Sequence, residues 1–262
     1  MFIQLIRHAN IILRINNMKI VVDPLLSPKG SMTPVKNVPN QDYNPLVELP
    51  IPKESILNCD ALMITHLHRD HFDELAATMI PKDTPVFCQP EDESEIKDKG
   101  FCNVISIKDA FIWNDISFKR VTGKHGHGIT AIEMGPVSGF IISAKNEPTV
   151  YIMGDTVWCP TVKNAISQYK PHIAIANCGA AKFAIGKPIT MDAKDMLCAC
   201  KSFPLLKIVA VHMEAWNHCR LSRKELRDFS LEHNIQTQIV IPEDGESLNF
   251  DYNNYLNFPT SN

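Results

Sequence analysis

The sequence predicts an α/β protein in which two mixed β-sheets pack together with helices outside, and two observations carry that expectation. Short apolar runs of strand length open the chain without helices between them, as antiparallel strands do, whereas later runs alternate with segments of helical length, as parallel strands and their crossovers do. Both kinds of run occur in each half of the 262 residues. No Gly/Ser-rich linker separates the halves, so one domain over 1–262 is expected.

Strands are expected over 2–6, 11–15 and 19–22, with Asn16-Asn17 as the turn between the second and third. Seven prolines between Asp23 and Pro52 predict a long irregular loop. Loops of that length either serve a site or wrap the surface, and the sequence leaves both open. A short apolar strand over 61–64 precedes a helix over 72–79 that Pro81 stops. Strands over 86–88, 104–107 and 116–121 follow, with an acidic helix start at 91–95 and Gly100 as its stop. Segments 129–134 and 137–143 read as a hairpin around Gly135-Pro136. The order is then strand 149–153, helix 162–169, strand 173–176, helix 192–201 and strand 207–211. Ser222-Arg223-Lys224-Glu225 has the spacing of a capping box and opens the last long helix, and a strand over 238–241 ends at Pro242.

Composition narrows the functional classes. With 45% hydrophobic residues the chain is not a disordered one, and 26 basic against 29 acidic residues give no general attraction for nucleic acid. No apolar run approaches the roughly 20 residues that cross a bilayer. Arg7, His8 and Arg14 interrupt the apolar N-terminus, so no signal peptide is expected. The eight cysteines are scattered and form no C-x-x-C pair, which points to a reduced, cytoplasmic setting and apolar burial. Cys198 and Cys200 stand about 200° apart on a helix, so a shared metal is not expected of them.

The chemistry concentrates in Thr65-His66-Leu67-His68-Arg69-Asp70-His71, where three imidazoles and a carboxylate directly follow an apolar strand. Random placement of ten histidines puts three at such a spacing on the order of 1% of the time, and the aspartate lowers this further. Imidazole with carboxylate suits Zn²⁺, Mn²⁺ or Fe²⁺ better than Mg²⁺ or Ca²⁺. His66 and His68 can reach one side of an extended segment, while Asp70 and His71 begin the following turn and aim at a neighbouring point. Two ions are therefore expected. Asp155 and His212 each stand just past an apolar strand, as His66 does, where a rigid scaffold can hold a ligand.

His66-Leu67-His68-Arg69-Asp70-His71 resembles the H-x-H-x-D-H signature of the metallo-β-lactamase superfamily. The resemblance covers nearly the whole chain and implies a four-layer αββα sandwich. It also implies the ligand set: His66, His68 and a later histidine for one ion, Asp70, His71 and His212 for the other, and Asp155 bridging both. The later histidine is His125 or His127 in Thr122-Gly123-Lys124-His125-Gly126-His127-Gly128, with His125 preferred. Segments such as Met134-Gly135-Pro136-Val137-Ser138-Gly139-Phe140 and the stretch from Val211 to Cys219 are similar to the branch of small metal-dependent hydrolases that includes the ascorbate-6-phosphate lactonase. The fold leaves the substrate open.

Two divalent ions, two carboxylates and a bridging hydroxide would leave the site with about one net positive charge, enough to attract an anion. Such ions lower the pKa of bound water towards about 7 and supply a nucleophile at neutral pH. The function expected is hydrolysis of a small ester, lactone or phosphorylated metabolite, with zinc as the first choice of metal and manganese or iron as alternatives. Asp70 is expected to orient the nucleophile. His218, His127 and Glu214 are candidates to protonate the leaving group, and His218 is carried forward. Trp216 is a candidate pocket wall, and Lys182 and Lys187 are candidates to meet an anionic substrate. His172 and His233 are expected to be structural, and His8 has no partner that the sequence names. The alternatives are a phosphodiesterase or nuclease on the same fold, which should carry a basic groove, and a non-catalytic metal-binding regulator, which should have lost a bridging carboxylate. Small-molecule substrate, no nucleic acid, no membrane and room for a homo-oligomer complete the expectation.

Overall fold

The computed structural model describes residues 1–255. The first sheet runs in chain order through β1 (Phe2–Arg7), β2 (Asn10–Ile15), β3 (Met18–Val22), β4 (Ala61–Met63), β5 (Val86–Cys88) and β6 (Val104–Ser106). The second also runs in chain order, through β7 (Ala110–Trp113), β8 (Ile116–Thr122), β9 (Ser138–Ala144), β10 (Val150–Ile152), β11 (Ile173–Asn177), β12 (Lys207–Val211) and β13 (Ile239–Val240). Strand β14 (Ser247–Asn249) returns to the first sheet beside β1.

Each sheet is antiparallel on one side and parallel on the other. Pairing is antiparallel from β14 through β3 and parallel from β3 to β6. In the second sheet it is antiparallel from β7 to β10 and parallel from β10 to β13. The β1–β2, β2–β3 and β7–β8 pairs close through two-residue turns. Asn16-Asn17 and Asn114-Asp115 both take positive φ at each position, the backbone that Asn and Asp tolerate best after glycine. The parallel strands need crossovers, and helices α2 (Glu74–Met79), α3 (Glu93–Asp98), α5 (Pro160–Tyr169), α6 (Ala193–Ser202) and α7 (Arg223–Glu232) lie between them.

Three apolar layers hold this arrangement. Ile3, Leu13, Val22 and Phe87 of the first sheet meet Phe118, Phe140, Ile152 and Val209 of the second in a core between the sheets. The outer face of the first sheet packs Leu62 and Val86 against Ala76 of α2 and Ile96 of α3. The outer face of the second packs Tyr151, Ala174 and Ile208 against Val162, Met196 and Leu226 of α5, α6 and α7. This is the expected four-layer αββα sandwich. Helix starts follow their caps: Asp73 accepts from Ala76 N at α2, Asp192 from Lys194 N and Asp195 N at α6, and Ser222 with Glu225 forms the expected capping box at α7. On α6, Cys200 is buried and Cys198 exposed. All eight cysteines are free.

One element differs in kind from the sequence reading. Segment 129–134 is not a strand but a short helix, α4 (Ile129–Glu133), entered from Gly128 and left through Gly135, both at positive φ. The strand that pairs with β9 is β8, and all of 123–137 is the connection between them. Ile129 and Ile132, expected in a hairpin strand, fall three apart on one helical face and are exposed. Strands β7 and β14 and helix α1 (Glu54–Leu57) were not anticipated. They are four residues or fewer, too short for periodicity to register.

The topology decides where a site can form. Antiparallel alternation points β1 and β3 the same way, and β8 the same way as β10. The carboxyl ends of β1, β3 and β4 thus emerge at one end of the first sheet, and those of β8, β10, β11 and β12 at one end of the second. The proline-rich loop runs past these ends. Arg7, fully buried, donates from its guanidinium to the carbonyls of Val47, Leu25 and Ser27. Asn217 accepts from Val35 N and donates to the Val35 and Asn40 carbonyls. The loop is thereby tied down beside these strand ends, and its Val35 lines a cavity there.

Candidate metal centre

Every expected ligand follows a strand whose carboxyl end faces the same crevice. His66 follows β4, His125 follows β8, Asp155 follows β10 and His212 follows β12, while Asp70 and His71 lie in the turn after His66. Two glycines make room. Gly154, immediately before Asp155, has φ +65°, and a Cβ there would stand 2.6 Å from the Ser138 carbonyl. At Gly179 a Cβ would stand 2.0 Å from the His212 carbonyl, so only glycine lets this backbone pass beneath His212.

Asp155 sits between two sets of donors. Its Oδ2 lies 3.3 Å from Nε2 of His125, and its Oδ1 lies 3.4 Å from Nε2 of both His71 and His212. On the first side, His66, His68 and His125 bring their ring nitrogens together, with Nε2 of His66 3.0 Å from Nδ1 of His68. On the second, Oδ2 of Asp70 is 3.7 Å from His212 Nε2 and 3.2 Å from Nε2 of His8. Among the described residues, His66, His68 and His125 form one group able to hold a cation and His8, Asp70, His71 and His212 another, with His66, His71 and Asp155 linking them.

The outer nitrogens of the rings fix which atoms face inward. His71 donates from Nδ1 to Asp23 Oδ2 at 2.7 Å, and His125 donates from Nδ1 to the Ile189 carbonyl at 2.9 Å. Thr65 gives its hydroxyl hydrogen to Asp23 Oδ2, leaving its oxygen to accept from Nδ1 of His66 at 3.1 Å. Nδ1 of His212 lies 3.6 Å from Cys219 Sγ. Such outward partners set the tautomer and leave Nε2 free as a ligand atom. Nε2 of His71 and of His212 is buried and has no hydrogen-bond partner among the described residues. Buried polar atoms without partners are costly, and a cation between these nitrogens and the carboxylates satisfies them. The donor set therefore fits divalent transition-metal ions.

The electrostatics carry the same imprint. Burial alone would raise the Asp70 carboxyl, but the imidazoles of His212 and His8 hold it well below the usual range. For Asp155 burial is likewise outweighed, by His212, His71 and His125. Burial lowers His71, yet the charges of Asp155 and Asp23 lift it to about 10. In the ion-free chain a proton on His71 thus offsets carboxylate charge that an ion would otherwise offset. His66 and His125 are driven down, chiefly by burial.

The other candidates separate clearly. His127 is exposed and outside every group of converging donors among the described residues. His218 is buried, lines the cavity beside the cage and approaches Asp70 to 4.0 Å, and burial lowers its pKa to about 4. Glu214 is engaged elsewhere, accepting from the backbone and guanidinium of Arg223. Trp216 is fully buried and forms part of the cavity wall, whereas Lys182 and Lys187 do not line it. His233 stacks on Phe229 and bonds its carbonyl, and Nδ1 of His172 accepts from Thr149 N. Sequence reasoning missed Asp23, Asn177, which donates to Asp155 Oδ1 at 2.7 Å, and the placement of His8. Asp23 and Asn177 each sit at the end of a strand, which was the available signal.

The profile of a family described as "Beta-lactamase superfamily domain" matches residues 18–213. The chain belongs to the metallo-β-lactamase superfamily. It is 38% identical over 249 residues to the UPF0173 protein YddR of Bacillus subtilis (strain 168), covering 94% of this chain and 98% of that one. Among solved structures, an isothiocyanate hydrolase from Delia radicum gut bacteria is 36% identical with a TM-score of 0.92, covering 96% of this chain and all of that one. A "possible metal-dependent hydrolase" from Veillonella parvula DSM 2008 is 35% identical with a TM-score of 0.91, covering 94% and 98%. The chain is thus a metal-dependent hydrolase of this superfamily. Among the described residues no helix is long and apolar enough to cross a membrane.

Proposed function

We propose that the chain is a two-metal hydrolase acting on an electrophilic carbon of a small, uncharged substrate: an ester, a lactone or an isothiocyanate. The observation that carries the two-ion reading is the split of Asp155, with one oxygen facing each set of inward-pointing imidazole nitrogens. His66, His68 and His125 would hold one ion, Asp70, His71 and His212 the other, with zinc the first choice and manganese or iron the alternatives. When bound, such ions lower the pKa of a coordinated water and polarise the substrate.

The residues of the chain do the rest. Asp70 reaches the cavity and orients the attacking water. His218 shares that wall, and with a pKa near 4 its ring is neutral at pH 7, so it offers the leaving atom an N–H hydrogen bond rather than an imidazolium proton. The cavity measures about 180 Å³ and is walled by Val35, Met134, Phe183, Ile189 and Trp216. Arg69 is its one lysine or arginine among the described residues, and that guanidinium already donates to the Thr33 hydroxyl and carbonyl. This lining favours an apolar, uncharged substrate over the phosphorylated metabolite that the ions' charge alone would attract. The similarity to an isothiocyanate hydrolase supports including that class. Addition of one water to R–N=C=S gives a thiocarbamic acid, whose C–N bond breaks to release an amine and carbonyl sulfide.

The test is a panel of an aryl isothiocyanate, a lactone, a phosphorylated lactone and a phosphodiester, offered to zinc- or manganese-loaded protein with Asp155→Ala as control. Turnover of the uncharged substrates, lost in Asp155→Ala, is expected. Turnover confined to the phosphorylated lactone or the phosphodiester would contradict the substrate assignment.

A further inference from the structure

His8 stands where a histidine has no local reason to be. It is the first of two residues joining β1 to β2, between the paired Arg7 and Asn10, and its φ is +62°. A two-residue hairpin turn with positive φ at its first position favours glycine, and a side chain held there is strained. The ring is fully buried, and its Nδ1 has no hydrogen-bond partner among the described residues. A neutral imidazole has one N–H, and the available acceptor is Oδ2 of Asp70, 3.2 Å from Nε2. The His8 ring lies against that of His212, with centroids 3.6 Å apart, and the His8 carbonyl accepts from His212 N at 2.9 Å. Trp216 packs near the ring at 5.6 Å.

We infer that His8 is a positioning residue: its Nε2–H fixes the carboxylate of Asp70, and its ring braces His212, so that one side chain from the first hairpin orders two donors of the same ion. This rests on the two-ion reading above. It assigns to His8 a hydrogen bond and a packing contact rather than a ligand bond, although its Nε2 belongs to the same converging group. Backbone substitution cannot supply this, because the His212 N–H bond to the His8 carbonyl survives any change of side chain. What a variant loses is the hold on Asp70 and the ring contact.

The experiment titrates Co²⁺ into metal-stripped, full-length protein, reading stoichiometry and both affinities by calorimetry and coordination by visible absorption. In His8→Leu one of the two ions is expected to bind about 10–100-fold more weakly while the other stays within about threefold. His8→Gln, whose amide N–H reaches near the position of Nε2, should recover most of that loss with an unchanged Co²⁺ spectrum at saturation. Should His8→Leu fail to fold, as its melting curve would show, His8→Ala replaces it in the same titration with the same expected loss. Wild-type affinity for both ions in His8→Leu overturns the inference, as does a changed spectrum in saturated His8→Gln, which would make His8 a ligand. A wild-type protein that takes up a single ion fails the two-ion reading itself, a result distinct from either.

Discussion

On one side of the cage, His66, His68 and His125 offer three imidazoles, with Oδ2 of Asp155 3.3 Å from His125, and His68 is half-buried where the cavity begins. On the other, His71 and His212 are fully buried beside Asp70, with the second Asp155 oxygen between them and Asp23 bonded behind His71. The first side is nearly all imidazole, with His68 and His125 lining the cavity. The second is rich in negative charge and braced from behind by Asp23, His8 and Cys219. Both follow from the fold: the first side faces the open end of the crevice, the second lies deeper between the sheets, where every polar atom needs a partner. One scaffold thus builds two unlike donor groups around a single carboxylate, one enclosed and rich in charge, the other of imidazoles that reach the cavity.

The largest effect is expected where the two sides join. Asp155→Ala removes the carboxylate that both use and leaves His71, His125 and His212 without it, so metal content should fall on both sides and hydrolysis by at least about 10²–10³-fold. Elemental analysis beside a rate measurement checks this, and a variant with full metal content would mean that Asp155 does not join the sides.

Proton competition sharpens the contrast. His71 is raised to about 10 and His212 is also raised in the ion-free chain, so near neutrality an ion on that side must displace protons. Apparent affinity there should climb with pH between about 7 and 9, by up to about tenfold per unit for each proton displaced. His66 and His125 are lowered and already neutral in this range, so the other ion should bind with little pH dependence. Titrations at several pH values distinguish one steep and one flat affinity. Two parallel profiles would remove the difference between the sides.

Much of this was legible in the chain because chemistry and pattern coincided there. His66 to His71 are contiguous, and Asp155 and His212 end apolar strands whose runs are clear in the sequence. Asp23 and His8 were hidden for a physical reason: their partners come from other strands, and a buried hydrogen bond between segments 48 or 62 residues apart leaves no local pattern. The misread segment 129–134 shows the converse. Six residues ahead of Gly135-Pro136 read as a hairpin strand, but so short a segment does not tell two periods apart, and it forms a helical turn between glycines at positive φ. The outward tie of His125 to the Ile189 carbonyl likewise depends on a loop that no spacing rule connects to it.

The smallest effect concerns the neighbour of that histidine. His127→Ala should leave metal content and turnover within about twofold, as surface changes away from a site do. His125→Ala should weaken the ion on the cavity side. Equal losses in the two variants would show that the loop can present either ring.

Two cations sharing Asp155 would be visible by anomalous diffraction from crystals grown with zinc. Two peaks are expected, one among His66, His68 and His125 and one among Asp70, His71 and His212, with Asp155 between them. A single peak, or a pair in which Asp155 touches only one ion, would contradict the account.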